Sequence, residues 1–187
     1  YLDIYGKISV NAQNGSKVDL FGFNFSDKAK LNGYNMTNNT VNVVALDYHW
    51  DSYGGGTNFV IIPGKSPVLL EGNVAYSYYK VVLDETDKMP RSSSIGGFNG
   101  GFKFTYFFGK DALKYGIDLS GYKTVFDFYN MTNRQIDYTQ NTTDVDFYAE
   151  YKWIAGKFII QPGFRLQYYG SLSTLSPEPR LSIKYNM

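Results

Sequence analysis

Asp144-Val145-Asp146-Phe147-Tyr148-Ala149-Glu150-Tyr151-Lys152-Trp153 decides the fold. Its odd positions are apolar or aromatic, and its even positions are mostly charged. Successive side chains of a β-strand point to opposite faces, so period two makes one face apolar and the other charged.

The same rhythm runs outward in both directions. Towards the C-terminus, Phe158, Ile160, Pro162, Phe164, Leu166 and Tyr168 oppose Gln161, Arg165 and Gln167; Leu181, Ile183 and Tyr185 then oppose Arg180, Ser182 and Lys184. Towards the N-terminus, Tyr115, Ile117 and Leu119 oppose Lys114, Asp118 and Ser120. Between Phe98 and Phe108 the aromatics hold the even positions, against Asn99, Gly101, Lys103 and Thr105. Val68, Leu70, Val74, Tyr76 and Tyr78 oppose Glu71, Asn73, Ser77 and Tyr79, and Leu2, Ile4, Ile8 and Val10 oppose Asp3, Lys7, Ser9 and Asn11. About nine strands result. Two regions break the pattern. Phe21, Phe23 and Phe25 change face relative to Val18 and Leu20, and Tyr53–Phe59 is glycine-rich, so bulges are expected at both.

The links are expected to alternate in length. Asn14–Ser16, Pro63–Pro67, Gly109–Ala112 and Ala155–Gly156 read as short turns. Asp27–Thr40, Asp84–Ser94, Asn130–Thr143 and Gly170–Pro179 read as longer polar loops. Short turns at one end and long loops at the other are the asymmetry of an outer-membrane barrel.

Composition points the same way. Tyr (18), Phe (14) and Gly (19) are abundant while mean hydropathy is negative, which suits an apolar outer wall, a polar lumen and aromatic girdles. No stretch approaches the roughly 20 apolar residues of a membrane helix. A formal net charge of +1 gives no electrostatic footprint for nucleic acid, and the absence of cysteine excludes disulfides and Cys-based zinc sites. No signal peptide is visible, as expected of a mature exported protein or an internal fragment. The fold class is therefore all-β: an antiparallel transmembrane β-barrel, with a soluble β-sandwich module as the alternative. Unpaired edges are not tolerated in lipid, so the strands are expected to be part of a larger barrel.

Chemistry-bearing residues are sparse. His49 has no second histidine or cysteine nearby; Asp47 and Asp51 make a carboxylate–imidazole cluster conceivable, but no nucleophile motif accompanies it. Gly54-Gly55-Gly56 lacks the Lys-Ser/Thr of a phosphate loop and reads as close backbone packing. Asn24, Asn35, Asn130 and Asn141 head glycosylation-type triplets, read here as loop polarity. No catalytic, metal or cofactor constellation is found, and an enzyme is not expected. Tyr34, Tyr129 and Tyr138 are candidate ligand-contacting loop residues, with loop or girdle packing as the plainer role. Glu71, Lys103, Asp118, Glu150, Arg165 and Arg180 are candidate lumen-facing residues, solvated surface charges being the plainer role.

Several stretches resemble the barrel of TonB-dependent receptors of the Bacteroidota. They are Phe21–Asp27, Trp50–Pro63, Glu71–Tyr79, Gln161–Tyr169 and Ser176–Tyr185. Their order along the chain is more specific than any one of them. The resemblance implies that residues 1–187 form part of one barrel domain of about 22 strands, with the plug domain and remaining strands outside this sequence. It implies import of a bulky nutrient across the bacterial outer membrane. The partners would be outer-membrane lipid, the TonB complex acting through the plug, and a SusD-like surface lipoprotein. A structural or adhesive barrel is the alternative function. Deleting Asn130–Thr143 is expected to weaken ligand capture while leaving the barrel folded.

Overall fold

The computed structural model describes residues 1–37, 40–85, 91–129, 132 and 134–186, with the backbone alone for 33–37 and 40–44. Nine strands form one sheet in chain order: β1 (Leu2–Asn11), β2 (Lys17–Thr37), β3 (Thr40–Ile61), β4 (Val68–Glu85), β5 (Arg91–Phe108), β6 (Asp111–Tyr129), β7 (Gln135–Ala155), β8 (Phe158–Tyr169) and β9 (Thr174–Tyr185). Each is antiparallel to the next. Two of the turns have two residues, Gly109–Lys110 and Gly156–Lys157. Their glycines adopt φ of 62° and 63°, the left-handed geometry that matches the twist of the flanking strands. The β1–β2 and β3–β4 turns are tied together: the Asn14 side chain donates to the Ile62 carbonyl (2.8 Å), and the Ile62 N–H donates to Ser16 Oγ (2.9 Å).

Nothing in this sheet makes a globular core. Ala112 is the one buried hydrophobic residue among those described. The accessible surface is 13091 Å², against about 9,100 Å² expected for a folded soluble monomer of this mass. There is one sheet rather than two packed ones, so the sandwich alternative does not hold.

Two sequence expectations are corrected. The polar stretches Asp27–Thr40, Asp84–Ser94, Asn130–Thr143 and Gly170–Pro179 are mostly strand, because β2 to β9 run into them and leave links of only 38–39, 86–90, 130–134 and 170–173. The asymmetry lies in strand length: β2 to β7 have 18 to 22 residues, about twice the 9–11 that cross a bilayer. The bulges also do not occur. The β2–β3 ladder runs from Lys17↔Val60 to Thr37↔Thr40 without a skipped residue. Glycine removes the need for them. Phe23 lies opposite Gly54, with its ring 2.8 Å from where a Cβ of Gly54 would stand. The ladder stays regular because the bulky partner faces a residue with no side chain.

Gly72 repeats this device opposite Phe59, whose ring occupies the place of the missing Cβ and approaches Phe102 at 5.9 Å between centroids. Gly72→Val must displace that ring. It is expected to lower stability by about 1–3 kcal/mol, as overpacking does, seen as a lower urea midpoint in detergent. Gly64→Ala, with nothing within 4 Å of its added Cβ, is expected to be neutral.

Candidate functional site

The ladder registers sort every strand into two faces, named here after Glu71 and Phe147. In one half of the strands, next to the tight turns, the Phe147 face is apolar. It carries Val68 to Tyr78 of β4, Phe98 to Phe108 of β5, Val145 to Trp153 of β7 and Phe158 to Tyr168 of β8, in alternate positions. Each run matches the about 9–11 residues of a membrane-crossing strand. Aromatic pairs cluster towards its ends: Phe104–Tyr115 at 5.3 Å and Phe158–Tyr185 at 5.0 Å near the turns, Tyr53–Tyr78 at 5.2 Å at the other limit.

Beyond Tyr78, Gly96 and Gly121 the polarity reverses. The Phe147 face continues with Lys80, Ser94, Lys123, Asp127, Asp137 and Asn141. The Glu71 face becomes apolar, with Trp50, Tyr79, Leu83, Ile95, Phe126 and Phe128. An apolar band that ends, and then reappears on the other side, marks a change of surroundings along the strand.

Below the reversal, the Glu71 face is a wall of paired charges. Glu71 and Lys103 sit directly opposite each other, 2.7 Å apart. Arg165 grips Asp146 with two hydrogen bonds, Nε to Oδ1 at 3.2 Å and Nη2 to Oδ2 at 2.7 Å. Asp118 faces Asp146 directly across the β6–β7 ladder and lies over Gly101 on its other side. Lys114 approaches Glu150 at 3.8 Å, Gln161 donates to Glu150, and Arg180 holds Glu178 at 2.7 Å. Asp19 accepts from Ser9 and pairs with Lys7 and Lys17. Two hollows open on this wall. One of about 430 Å³ is lined by Asp118, Tyr148, Glu150, Gln161, Arg165 and Arg180. The other, about 380 Å³, adds Asn58, Glu71, Asn73 and Lys103 and shares Asp118 and Tyr148. The two therefore form one strip of donors and acceptors of both signs, suited to hydrogen-bonding a polar solute or polypeptide.

All six residues expected on the lumen side, Glu71, Lys103, Asp118, Glu150, Arg165 and Arg180, share this face. The candidate tyrosines are on strands rather than loops, and Tyr129 and Tyr138 lie on opposite faces. Tyr129 ends β6 on the Phe147 face; Tyr138 lies within β7 on the Glu71 face, its hydroxyl 3.5 Å from Gln140. Tyr34 pairs through its backbone with Val43 in β2–β3, and its side chain lies outside the described residues. His49 Nε2 contacts Asp51 at 2.8 Å, while Asp47 turns to Lys30 at 3.6 Å, so the three do not form one cluster. Among the described residues no group of three metal-ligating side chains occurs. Sequence inspection singled out neither Tyr148, Asn58 and Asn73 nor the inward aromatics beyond the reversal. Period two placed Tyr148 among the charged positions; the signal was there but lacked a charge to draw notice.

No protein-family model matches the sequence, and no curated protein sequence matches it. Solved structures do. The outer membrane transporter YddB from Escherichia coli superposes with a TM-score of 0.71 at 10% identity, over 97% of this chain and 29% of that one. The FrpB iron transporter from Neisseria meningitidis gives 0.65 at 12%, over 98% and 34%. The siderophore receptor PiuA from Acinetobacter baumannii gives 0.59 at 10%, over 98% and 38%. This chain thus spans roughly a third of the length of each. Identity this low carries the fold and no more, and the nine strands have the fold of a section of an outer-membrane β-barrel.

Proposed function

We propose that these strands are wall of a plugged transporter barrel in the bacterial outer membrane, importing a bulky nutrient. The observation that carries this is the polarity reversal. A band of membrane height is apolar outside and ion-paired inside, and above it stands an extension whose inner surface is aromatic. The Phe147 face meets outer-membrane lipid, and the Glu71 face lines the lumen. Further strands, in a barrel of about 22, complete the backbone hydrogen bonds of the β1 and β9 edges. Solute is met first by the inward aromatics, such as Trp50, Tyr79 and Phe126, which offer broad apolar contact and stacking. It then passes the mixed-charge wall when the plug moves under the pull of the TonB complex. The resemblance of Phe21–Asp27 and Gln161–Tyr169 to Bacteroidota receptors supports that branch of the family, and with it a SusD-like lipoprotein as surface partner.

Deleting Asn130–Thr143 is not a clean probe of ligand capture, since it would remove residues 135–143 of β7 and unpair the end of β6. A photo-reactive amino acid tests the proposal more directly. At Ser77, on the Glu71 face, it is expected to cross-link to polypeptide outside the nine strands in native membranes. At Val74, on the Phe147 face, it is expected to capture lipid. Lipid at Val74 with no polypeptide at Ser77 would overturn the plugged transporter in favour of an open structural barrel.

A further inference from the structure

The Phe147 face carries a hollow of about 540 Å³ at the level where its apolar band ends. Its floor is the backbone of Gly96 and Gly121, on neighbouring strands β5 and β6. Tyr76, Tyr78, Phe98 and Val125 wall it. Two missing side chains on adjacent strands make a trough in a surface otherwise studded with rings. The Tyr76 hydroxyl leans to 3.1 Å from where a Gly96 Cβ would stand, and the Phe98 ring lies over Gly121. The trough is thus shaped partly by aromatics that can rotate aside.

Its rim away from the band is polar and cationic. Lys123 lines the rim, directly opposite Gly96 in the β5–β6 ladder. Lys80 stands on the same face of β4, opposite Ser94. That places Lys80 and Lys123 two strands apart, about 10 Å across the sheet, within converging reach of two long side chains. On the Glu71 face Lys7, Lys17, Lys103 and Lys114 are each paired with a carboxylate. Lys80 and Lys123 have no ion-pair partner among the described residues. Asp51, directly across from Lys80 in the β3–β4 ladder, is engaged by His49 at 2.8 Å, so the two cations stand outside any ion pair among the described residues, at the height of a lipid headgroup above an apolar trough at the height of its chains.

We propose that this trough holds one phosphorylated lipid of the outer leaflet, an acyl chain lying over Gly96 and Gly121 and a phosphate held by Lys80 and Lys123. The inference rests on the transmembrane reading of the Phe147 face. The occupant is a lipid rather than free phosphate because the cations border the trough instead of enclosing a pocket. A headgroup alone would leave the apolar floor bare.

The test uses the native protein purified in detergent, with binding of diphosphorylated lipid A and of its dephosphorylated form measured by native mass spectrometry. The Lys80→Gln/Lys123→Gln variant is expected to bind the phosphorylated lipid at least tenfold more weakly and the dephosphorylated form unchanged. Lys110→Gln, altered in the tight turn between β5 and β6 at the other end of the strands, is expected to bind both as the parent does. Equal affinity of the double variant and the parent for phosphorylated lipid would overturn the site. So would complete competition by millimolar inorganic phosphate, which would make it an anion site. A separate arm tests the underlying reading. Brominated lipids in reconstituted bilayers are expected to quench fluorescence that is lost in Trp153→Phe, since Trp153 lies within the apolar band. Quenching without lysine-dependent binding rejects the lipid site alone; absence of quenching rejects the membrane placement itself.

Discussion

Phe147→Arg is expected to destabilise the protein in a bilayer by about 2–4 kcal/mol, the penalty of a cation on the lipid face near the middle of a barrel wall. Phe147 sits between Ile117 of β6 and Leu166 of β8, well inside the apolar band, with half of its surface uncovered by protein. The sign of the effect is what decides. On a soluble sheet, replacing an exposed phenylalanine by arginine would be close to neutral, as most surface substitutions are. The matched control is Ser120→Arg on the other face. Ser120 lies opposite Asp144, whose Oδ1 is buried and without a hydrogen-bond partner among the described residues. A new guanidinium there gains a carboxylate, so the change is expected to be neutral or slightly stabilising. Urea unfolding in lipid vesicles reads both. Equal losses from the two substitutions would mean that the faces do not differ in solvent, and the barrel reading would fall.

That contrast between faces is legible in the amino-acid sequence, because period two needs nothing but side-chain type. Asp144–Trp153 and Phe158–Tyr168 announce strands, and the turn glycine at Gly156 sets their pairing. With a two-residue turn, Ala155 must oppose Phe158, and Asp146 and Arg165 then come within diagonal reach. What sequence inspection could not separate was a polar strand from a polar loop. Lys28, Lys30 and Asp47 alternate with Ala29, Leu31 and Leu46, but the backbone hydrogen bonds that make them strand are blind to side-chain polarity. In the proposed barrel the outer face is wetted above the bilayer, so the apolar residues shift to the inner positions and the alternation changes phase. A phase change in a regular ladder looks, from sequence, like a bulge or a loop. The inward aromatics escaped notice for the same reason: Trp50, Tyr79 and Phe126 belong to no outward band, and only the register gathers them on one face.

The wall of paired charges makes the second large prediction. Arg165→Gln is expected to destabilise by about 2–3 kcal/mol, less than the loss on breaking a fully buried pair because the guanidinium is partly exposed. The reason is the arrangement around Asp146. Its side chain is only 12% exposed, Arg165 holds both of its oxygens, and Asp118 faces it directly across the ladder. Without Arg165, Asp146 loses the cation that holds both of its oxygens while Asp118 still faces it, and like charges directly opposite in a sheet repel. Asp146→Asn placed on top of Arg165→Gln removes that repulsion and is expected to recover most of the loss. The double-mutant cycle between the two positions should then give a coupling of about 1–3 kcal/mol. The salt dependence of that coupling reports on the lumen. A wall packed against a plug is poorly screened, so the coupling would persist from low salt to 1 M, where the screening length is about 3 Å. A wall open to water would behave like an exposed pair, its coupling under about 1 kcal/mol and fading with salt. A persistent coupling therefore supports the plugged barrel by a route independent of cross-linking, and a coupling that vanishes in salt argues for a hydrated channel.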